Sequence, residues 1–488
     1  MLLLLSAILL PVIGGCLVPV LRFRSVRARS FWVLAVTAAT SVLALTAVHL
    51  RTGEAFVLFE ILPGMAVALR ADGPAALFAG LVAVLWPLAA LYAFAYMEHE
   101  ERPDRFFAWY TISYGVTLAI AFSASLLTLY IFYECLTLAT LPLVNHKDDT
   151  ASRKAGLAYA LWTIGGAALG FAALMFTLAY GSGDGLFAPG GILAWAGRET
   201  LLRWVYLLAF VGFGAKAAVF PFHIWLPRAS VAPTPVTALL HAVAVVNAGA
   251  FAVIRVTGYV FGAELLAGSF AQTAALGLAC FTILLGAGMA VREQHLKRRL
   301  AWSTVSNLSY MLMGAALMTP EGQVGAMAHL VFHGLMKITL FYCAGAILVQ
   351  TGREYVRDIR GFARPMPFIC ACFTLAAAAM VGVPPLCGFV SKWQLLSAAA
   401  ATGLPMGIAA VVTIIIAAVL TAIYLFGPVM SMYFRPLNAA EQSLAGEKKD
   451  PDARMLLPMG LIGAAIVLCG IFSEPLINLL RQIAAVPV

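Results

Sequence analysis

Charge is scarce in this 488-residue sequence: 11% of the residues are Asp, Glu, Lys or Arg, while 62% are hydrophobic. Soluble globular domains carry about 25% charged residues, so a water-soluble fold is excluded. The eight cysteines, at 16, 135, 280, 343, 370, 372, 387 and 469, never fall in CxxC spacing. That removes zinc ribbons, haem attachment and a disulfide framework, and leaves packing as the role of most of them. No GxGxxG run opens a helix, and no Walker lysine or iron–sulfur spacing occurs. The chain is therefore expected to hold no cofactor and no metal. Redox chemistry coupled to it would lie in other chains.

What the sequence has instead is length in apolar runs. Stretches of about 20 residues, enough to cross a bilayer, fall near 2–21, 31–50, 76–97, 106–121, 124–144, 155–180, 203–218, 233–254, 270–290, 300–318, 323–350, 367–400, 407–433 and 455–480. They predict an all-α polytopic membrane protein of about fourteen helices. The first run is read as an uncleaved helix, because Arg22, Arg24, Arg27 and Arg29 follow the apolar core, whereas a signal peptide places its charges ahead of it. Of the 31 Lys and Arg, 22 fall in connections after odd-numbered helices and six in even-side connections and the C-terminus. The positive-inside rule then puts the odd connections in the cytoplasm and both termini outside.

Three lysines remain, and all three lie inside predicted spans: Lys216, Lys337 and Lys392. A charge at mid-membrane depth costs roughly 2.5–3.5 kcal/mol on insertion scales, so each needs a reason. Glu134 is the acidic residue well inside a span. An uncharged run from Trp204 to Ala215 leads into Lys216, and Pro221 breaks the helix just beyond. Pro384 and Pro385 interrupt the run ahead of Lys392 in the same way. Irregular backbone survives in a bilayer only where protein buries it or a wet cavity meets it, and paired broken helices mark transport pathways. The two lysines sit on helices seven and twelve, five apart. An odd offset makes helices 4–8 and 9–13 two inverted five-helix repeats. The chain divides accordingly into 1–105 (helices 1–3), 106–256, 257–435, and 436–488 (a loop and helix 14).

Helix eleven supplies a bridge between them. His329, His333 and Lys337 are spaced by four, so they form one titratable stripe with a rise of about 6 Å per step. His241, on helix eight, is a further relay candidate. Elsewhere the charges read as surface features: Glu98 to Glu101 and His146 to Asp149 as solvated loops, Arg298 and Arg299 as snorkelling side chains, and Glu447 to Asp452 as a solvated linker.

Five segments carry a resemblance: Tyr133 to Leu138, Gly214 to Ala229, Ala232 to His241, Leu296 to Met311 and Val383 to Lys392. From about residue 95 to 435 the chain resembles the antiporter-like subunits shared by Mrp-type sodium/proton antiporters, respiratory complex I and membrane-bound hydrogenases. Phe332 to Ala346 is most similar to Mrp D-like proteins. The resemblance implies a half-channel on each side of a central polar axis. Glu134 would pair with Lys216, the first proton carrier. His241, His329, His333 and Lys337 would form the central relay, and Lys392 would be the terminal lysine. It further implies other membrane subunits as partners, protons and sodium as cargo, the lipid bilayer of a bacterial cytoplasmic membrane as setting, and no nucleic acid. One departure stands out: relatives often carry a lysine where this chain has Asn247, and an asparagine holds no proton at neutral pH. Three functions stay open: a cation/proton antiporter subunit of Mrp type, a proton-pumping subunit of a complex I-like or hydrogenase-like redox complex, and a transport-inactive scaffold.

Overall fold

The computed structural model describes residues 1–50, 53–62, 64–181, 185–403, 405–436 and 450–484, without the side chains of residues 240 and 241. Its first helices are α1 (Leu2–Leu21) and α2 (Val26–Leu50). A hairpin follows, β1 (Phe56–Glu60) antiparallel to β2 (Ala66–Leu69) with a bulge between Val57 and Phe59. It corrects the all-α expectation. The hairpin is too short to span a membrane and is tied to the protein from one side: Ser125 Oγ donates to Ala66 O at 2.7 Å, and Ala68 N to Thr128 Oγ1 at 2.9 Å. The chain continues through α3 (Gly73–Tyr96), α4 (Pro103–Ala121), α5 (Leu126–Val144), α6 (Thr150–Tyr180) and α7 (Glu199–Gly214).

Beyond α7 the helices come in fragments. α8 (Trp225–Arg228), α9 (Thr234–Ala242), α10 (Val245–Val256) and the short α11 (Ala263–Leu266) precede α12 (Phe270–Arg292), α13 (Leu296–Ala316) and the 32-residue α14 (Pro320–Thr351). Then come α15 (Pro367–Val381), α16 (Cys387–Ala401), α17 (Pro405–Phe434), α18 (Ala453–Ile471) and α19 (Glu474–Ala484). Predicted helix eight is thus two helices, parted at Val243 and Ala244, where no proline or glycine announces a break. Predicted helix fourteen stops at Ile471, and α19 is a separate amphipathic helix.

Among the described residues nine helices are by themselves long and apolar enough to cross a membrane. α13 falls outside that group because it carries Ser303, Thr304, Ser306, Asn307 and Ser309 at fully or nearly fully buried positions. α14 is the core of the protein, buried along almost all of its length from Gly322 to Ile347. It packs against α3, α9, α10, α13, α15, α16, α18 and α19. A helix enclosed by protein rather than lipid can carry histidines and a lysine without exposing them to hydrocarbon.

Candidate functional site

The first interruption is built around Lys216, which is fully buried. α7 ends at Gly214, and a tight turn returns the Val219 amide to Gly214 O at 3.0 Å. Breaking a helix orphans its last carbonyls, and buried backbone groups need partners. Tyr133 OH donates to Phe213 O at 2.7 Å, and Trp225 Nε1 donates to Ala215 O at 3.0 Å. The Lys216 ammonium donates to Tyr133 O, lies 3.5 Å from the centroid of the Tyr133 ring, and stands 3.6 Å from Glu134 Oε1. One turn of α5 therefore supplies the carbonyl, the aromatic face and the counter-ion. Gly249 of α10 makes room, since a methyl there would run into the Ala217 amide and lie 2.8 Å from the Lys216 carbonyl carbon.

The second interruption holds Lys392 differently. α15 ends at Val381 with Gly382 at φ +101°, a conformation that favours glycine. Lys392 then reaches back from α16 to the carbonyls the break has freed, Met380 O at 2.6 Å and Val381 O at 3.2 Å. A cation at a helix C-terminus also meets the negative end of the helix dipole. The ring of Tyr310 lies 5.6 Å from its ammonium.

Between these ends lies α14. The rings of His329 and His333 are 6.1 Å apart. His329 Nδ1 and Ser391 Oγ form a 2.9 Å hydrogen bond, and the imidazole of His329 lies 5.4 Å from the Tyr310 ring. Ser391 is the neighbour of Lys392 in sequence, so the stripe on α14 meets the second interruption at this bond. Lys337 turns toward α13, donating to Leu300 O at 2.9 Å and Ser303 Oγ at 2.6 Å; Ser303 in turn is 2.8 Å from Tyr424 OH. His329, His333 and Lys337 are all fully buried. The side chain of His241 lies outside the described residues. Asn247 bonds Ala242 O at 2.8 Å through Nδ2, stitching the gap between α9 and α10, and its Oδ1 has no partner among the described residues.

Several groups escaped the sequence reading. Arg255, counted there with a connection, is fully buried in α10 and paired bidentately with Asp72 at 2.8 and 2.5 Å. Arg299 does not snorkel; it is buried and donates to Glu293 O and Tyr424 O. His146 is not solvated but 3% exposed, with Nε2 2.8 Å from Glu101 O. Lys297 is likewise buried, donating to Ala232 O at 3.1 Å. Glu447 to Lys449 lie outside the described residues, while Asp450 accepts from the first amides of α15. Their loop or helix-end positions hid them. Ser391, Ser303, Tyr310 and Tyr424 gave no signal because hydroxyls and aromatic rings are common on buried helix faces, and only the fold shows that Ser391 meets His329, that Ser303 meets Lys337 and Tyr424, and that the Tyr310 ring lies beside His329 and Lys392. Among the described residues no group of three or more His, Cys, Asp or Glu is placed to hold a metal.

Fold and site together define a class: a multi-pass membrane protein in which amines and imidazoles line a buried interior. The comparisons narrow it. Residues 123–420 match the family described as NADH:quinone oxidoreductase/Mrp antiporter, TM. A probable K(+)/H(+) antiporter A/B subunit of Rhizobium meliloti is 35% identical over 346 residues, 70% of this chain and 34% of that protein. NADH-quinone oxidoreductase subunit N of Desulforudis audaxviator is 32% identical over 83% of this chain and 82% of its own. A chain in the structure of the Mrp complex from Dietzia superposes with a TM-score of 0.85 at 23% identity, over 99% of this chain and 52% of that one. This chain spans about a third of the first relative's length. It belongs to the NADH:quinone oxidoreductase/Mrp antiporter transmembrane family, and is a multi-pass protein of the cytoplasmic membrane.

Proposed function

We propose that this chain translocates protons as one membrane subunit of a larger assembly, most specifically as a monovalent cation/proton antiporter subunit of the Mrp D-like kind. The observation that carries this reading is the buried Lys216 ammonium 3.6 Å from Glu134. Two unit charges at that distance attract by roughly 4–5 kcal/mol at an effective dielectric of about 20. A small movement of Glu134 along α5 changes that attraction enough to decide whether Lys216 holds or releases its proton. A membrane potential contributes only about 2.3 kcal/mol per charge per 100 mV, so the pair can control transfer against it. In this scheme Lys216 loads from one side, and His241, His329, His333 and Lys337 carry the proton across the centre. Lys392 delivers it to the far side.

The architecture that goes with this reading has fourteen crossings. α4 to α10 and α12 to α17 form its two inverted repeats, within the divisions at 105, 256 and 435. Both termini lie outside and the basic connections in the cytoplasm. Partners are other hydrophobic subunits. The resemblance at Phe332 to Ala346 and the antiporter relative from Rhizobium support the antiporter form. A second reading, the proton-pumping arm of a redox complex, is favoured by the oxidoreductase relative from Desulforudis, which matches over most of both chains. It uses the same residues and differs in its partners. Purifying the tagged protein in mild detergent with its companions separates the two, and sodium-dependent proton flux in vesicles carrying the intact assembly tests the first. Proton flux indifferent to sodium and potassium, alongside companions bearing flavin or iron–sulfur clusters, would replace the antiporter reading with the redox one.

A further inference from the structure

The relay leaves unused a cleft of about 810 Å³ between the starts of α6 and α13, the end of α12 and the segment around α8. Its rim is cationic: Lys154, Arg228 and Arg298 all line it. Arg298 lies 3.5 Å from Glu293, the one carboxylate in the lining. Lys154 and Arg228 are exposed, and their side chains make no hydrogen bond or ion pair among the described residues. Arg298 also stands in the first turn of α13, where the helix dipole disfavours a cation and favours an anion. Deeper in, His223 is 7% exposed, and its Nδ1 has no hydrogen-bond partner among the described residues. The wall alongside is apolar, with Leu285 and Met289 of α12 half-buried against the opening.

Two uncompensated cations and an imidazole whose Nδ1 has no partner among the described residues, beside an apolar wall, match one kind of molecule at the edge of a bilayer. We propose that this cleft binds an anionic diacyl phospholipid. Its phosphate sits among Lys154, Arg228 and Arg298 within reach of His223, and an acyl chain lies along Leu285 and Met289. A free phosphate would use the cations and leave the apolar wall unexplained. Basic pockets at the ends of membrane helices are known to suit such headgroups. His223 belongs to the same interruption as Lys216, seven residues away, so the lipid occupies the cleft-facing end of the segment that positions the first proton carrier.

The test uses the intact assembly, delipidated in detergent and titrated with phosphatidylglycerol or with phosphatidylcholine of the same acyl chains, bound lipid being counted by native mass spectrometry. Phosphatidylglycerol is expected to bind with at least ten-fold preference. Each of Lys154→Gln, Arg228→Gln and Arg298→Gln should weaken that binding about five-fold, which is ~1 kcal/mol per basic residue near the surface. Leu285→Trp, which leaves every charge in place, should weaken both lipids by filling the acyl path. Thermal melting of each variant separates lost binding from lost folding. Equal binding of the two lipids, or anionic binding unchanged by all three glutamine variants, would overturn the proposal. So would competition by glycerol 1-phosphate at the concentrations that suffice for the lipid, or cross-linking of a neighbouring protein from Arg228.

Discussion

Lys216 and Lys392 each lie at a break between two helical segments, and each ammonium takes a backbone carbonyl, yet only Lys216 has a carboxylate, with Glu134 3.6 Å away. Lys392 is held by the carbonyls of Met380 and Val381, which its own break set free, and no carboxylate lies within ion-pair distance among the described residues. The first site balances a charge with a charge, the second with dipoles. A counter-ion on a separate helix can be moved independently of the lysine it serves, whereas carbonyls freed by the break move with the broken helix itself. A third buried cation sharpens the contrast. Arg255 is clamped by Asp72 through two hydrogen bonds of 2.8 and 2.5 Å, and that bidentate geometry suits a bond meant to stay. The single, longer Glu134 contact suits one meant to change.

Removing either lysine should have the largest effect. Lys216→Ala and Lys392→Ala are each expected to bring proton flux in vesicles of the intact assembly down to the leak, and flux surviving in either would end the idea that both breaks serve one route. Next comes the clamp. Breaking a buried pair at one partner costs about 3–5 kcal/mol, so Arg255→Gln should lower thermal stability by that order while changing flux per folded molecule less than two-fold. The Asp72 carboxyl is pushed up by burial but pulled further down by the charge and hydrogen bonds of Arg255, with help from the Ala75 amide and Arg70, and ends below its ordinary value of 3.8. A lowered folded value means its stabilisation is complete above that ordinary value and disappears as the pH falls through the folded one. Melting temperature should therefore stay flat from about pH 8 to 5 in this respect and decline below about pH 4, and Asp72→Asn should remove that part of the decline.

Gly249→Ala puts a methyl against the Lys216 backbone. Because the neighbour is backbone and cannot rotate away, the expected cost is about 1–3 kcal/mol, with a several-fold drop in flux as Lys216 shifts from Glu134. Normal flux and stability would show that the segment tolerates displacement. The smallest effect is expected at Tyr310→Phe. Its hydroxyl has no hydrogen-bond partner among the described residues, and the ring facing Lys392 is kept, so flux should change less than two-fold. A ten-fold loss would mean that the second site depends on that hydroxyl, and the contrast between charge and dipoles would fail.

Much of the site could be read from the sequence because an ionisable residue in an apolar run is conspicuous. Lys216, Lys392 and the four-residue spacing of His329, His333 and Lys337 needed no fold to be noticed, and Pro384 and Pro385 announced one break; Pro221 lies in the other, whose helix ends at Gly214, ahead of Lys216 rather than beyond it. Partners across space were another matter. Ser391 meets His329 across 62 positions and Ser303 meets Lys337 across 34, and nothing in a run of apolar and small residues marks such a meeting. The gap between α9 and α10 has no proline to announce it, and nothing in the sequence showed that Asn247, the departure from a lysine that the resemblance marks, bonds Ala242 O where the helix parts. Arg255, Lys297 and Arg299 were misplaced for a related reason. They stand at helix ends, where the sequence cannot tell a side chain that reaches water from one that turns into the protein.

The pairing of Glu134 with Lys216 is tested most directly by proton flux into vesicles that carry the intact assembly with Glu134→Gln, which keeps the shape of the side chain and removes its charge. A fall of at least ten-fold, with the assembly's composition and melting temperature unchanged, is the predicted result. Flux equal to that of the unaltered protein would contradict it, and would reduce the 3.6 Å contact to a structural detail.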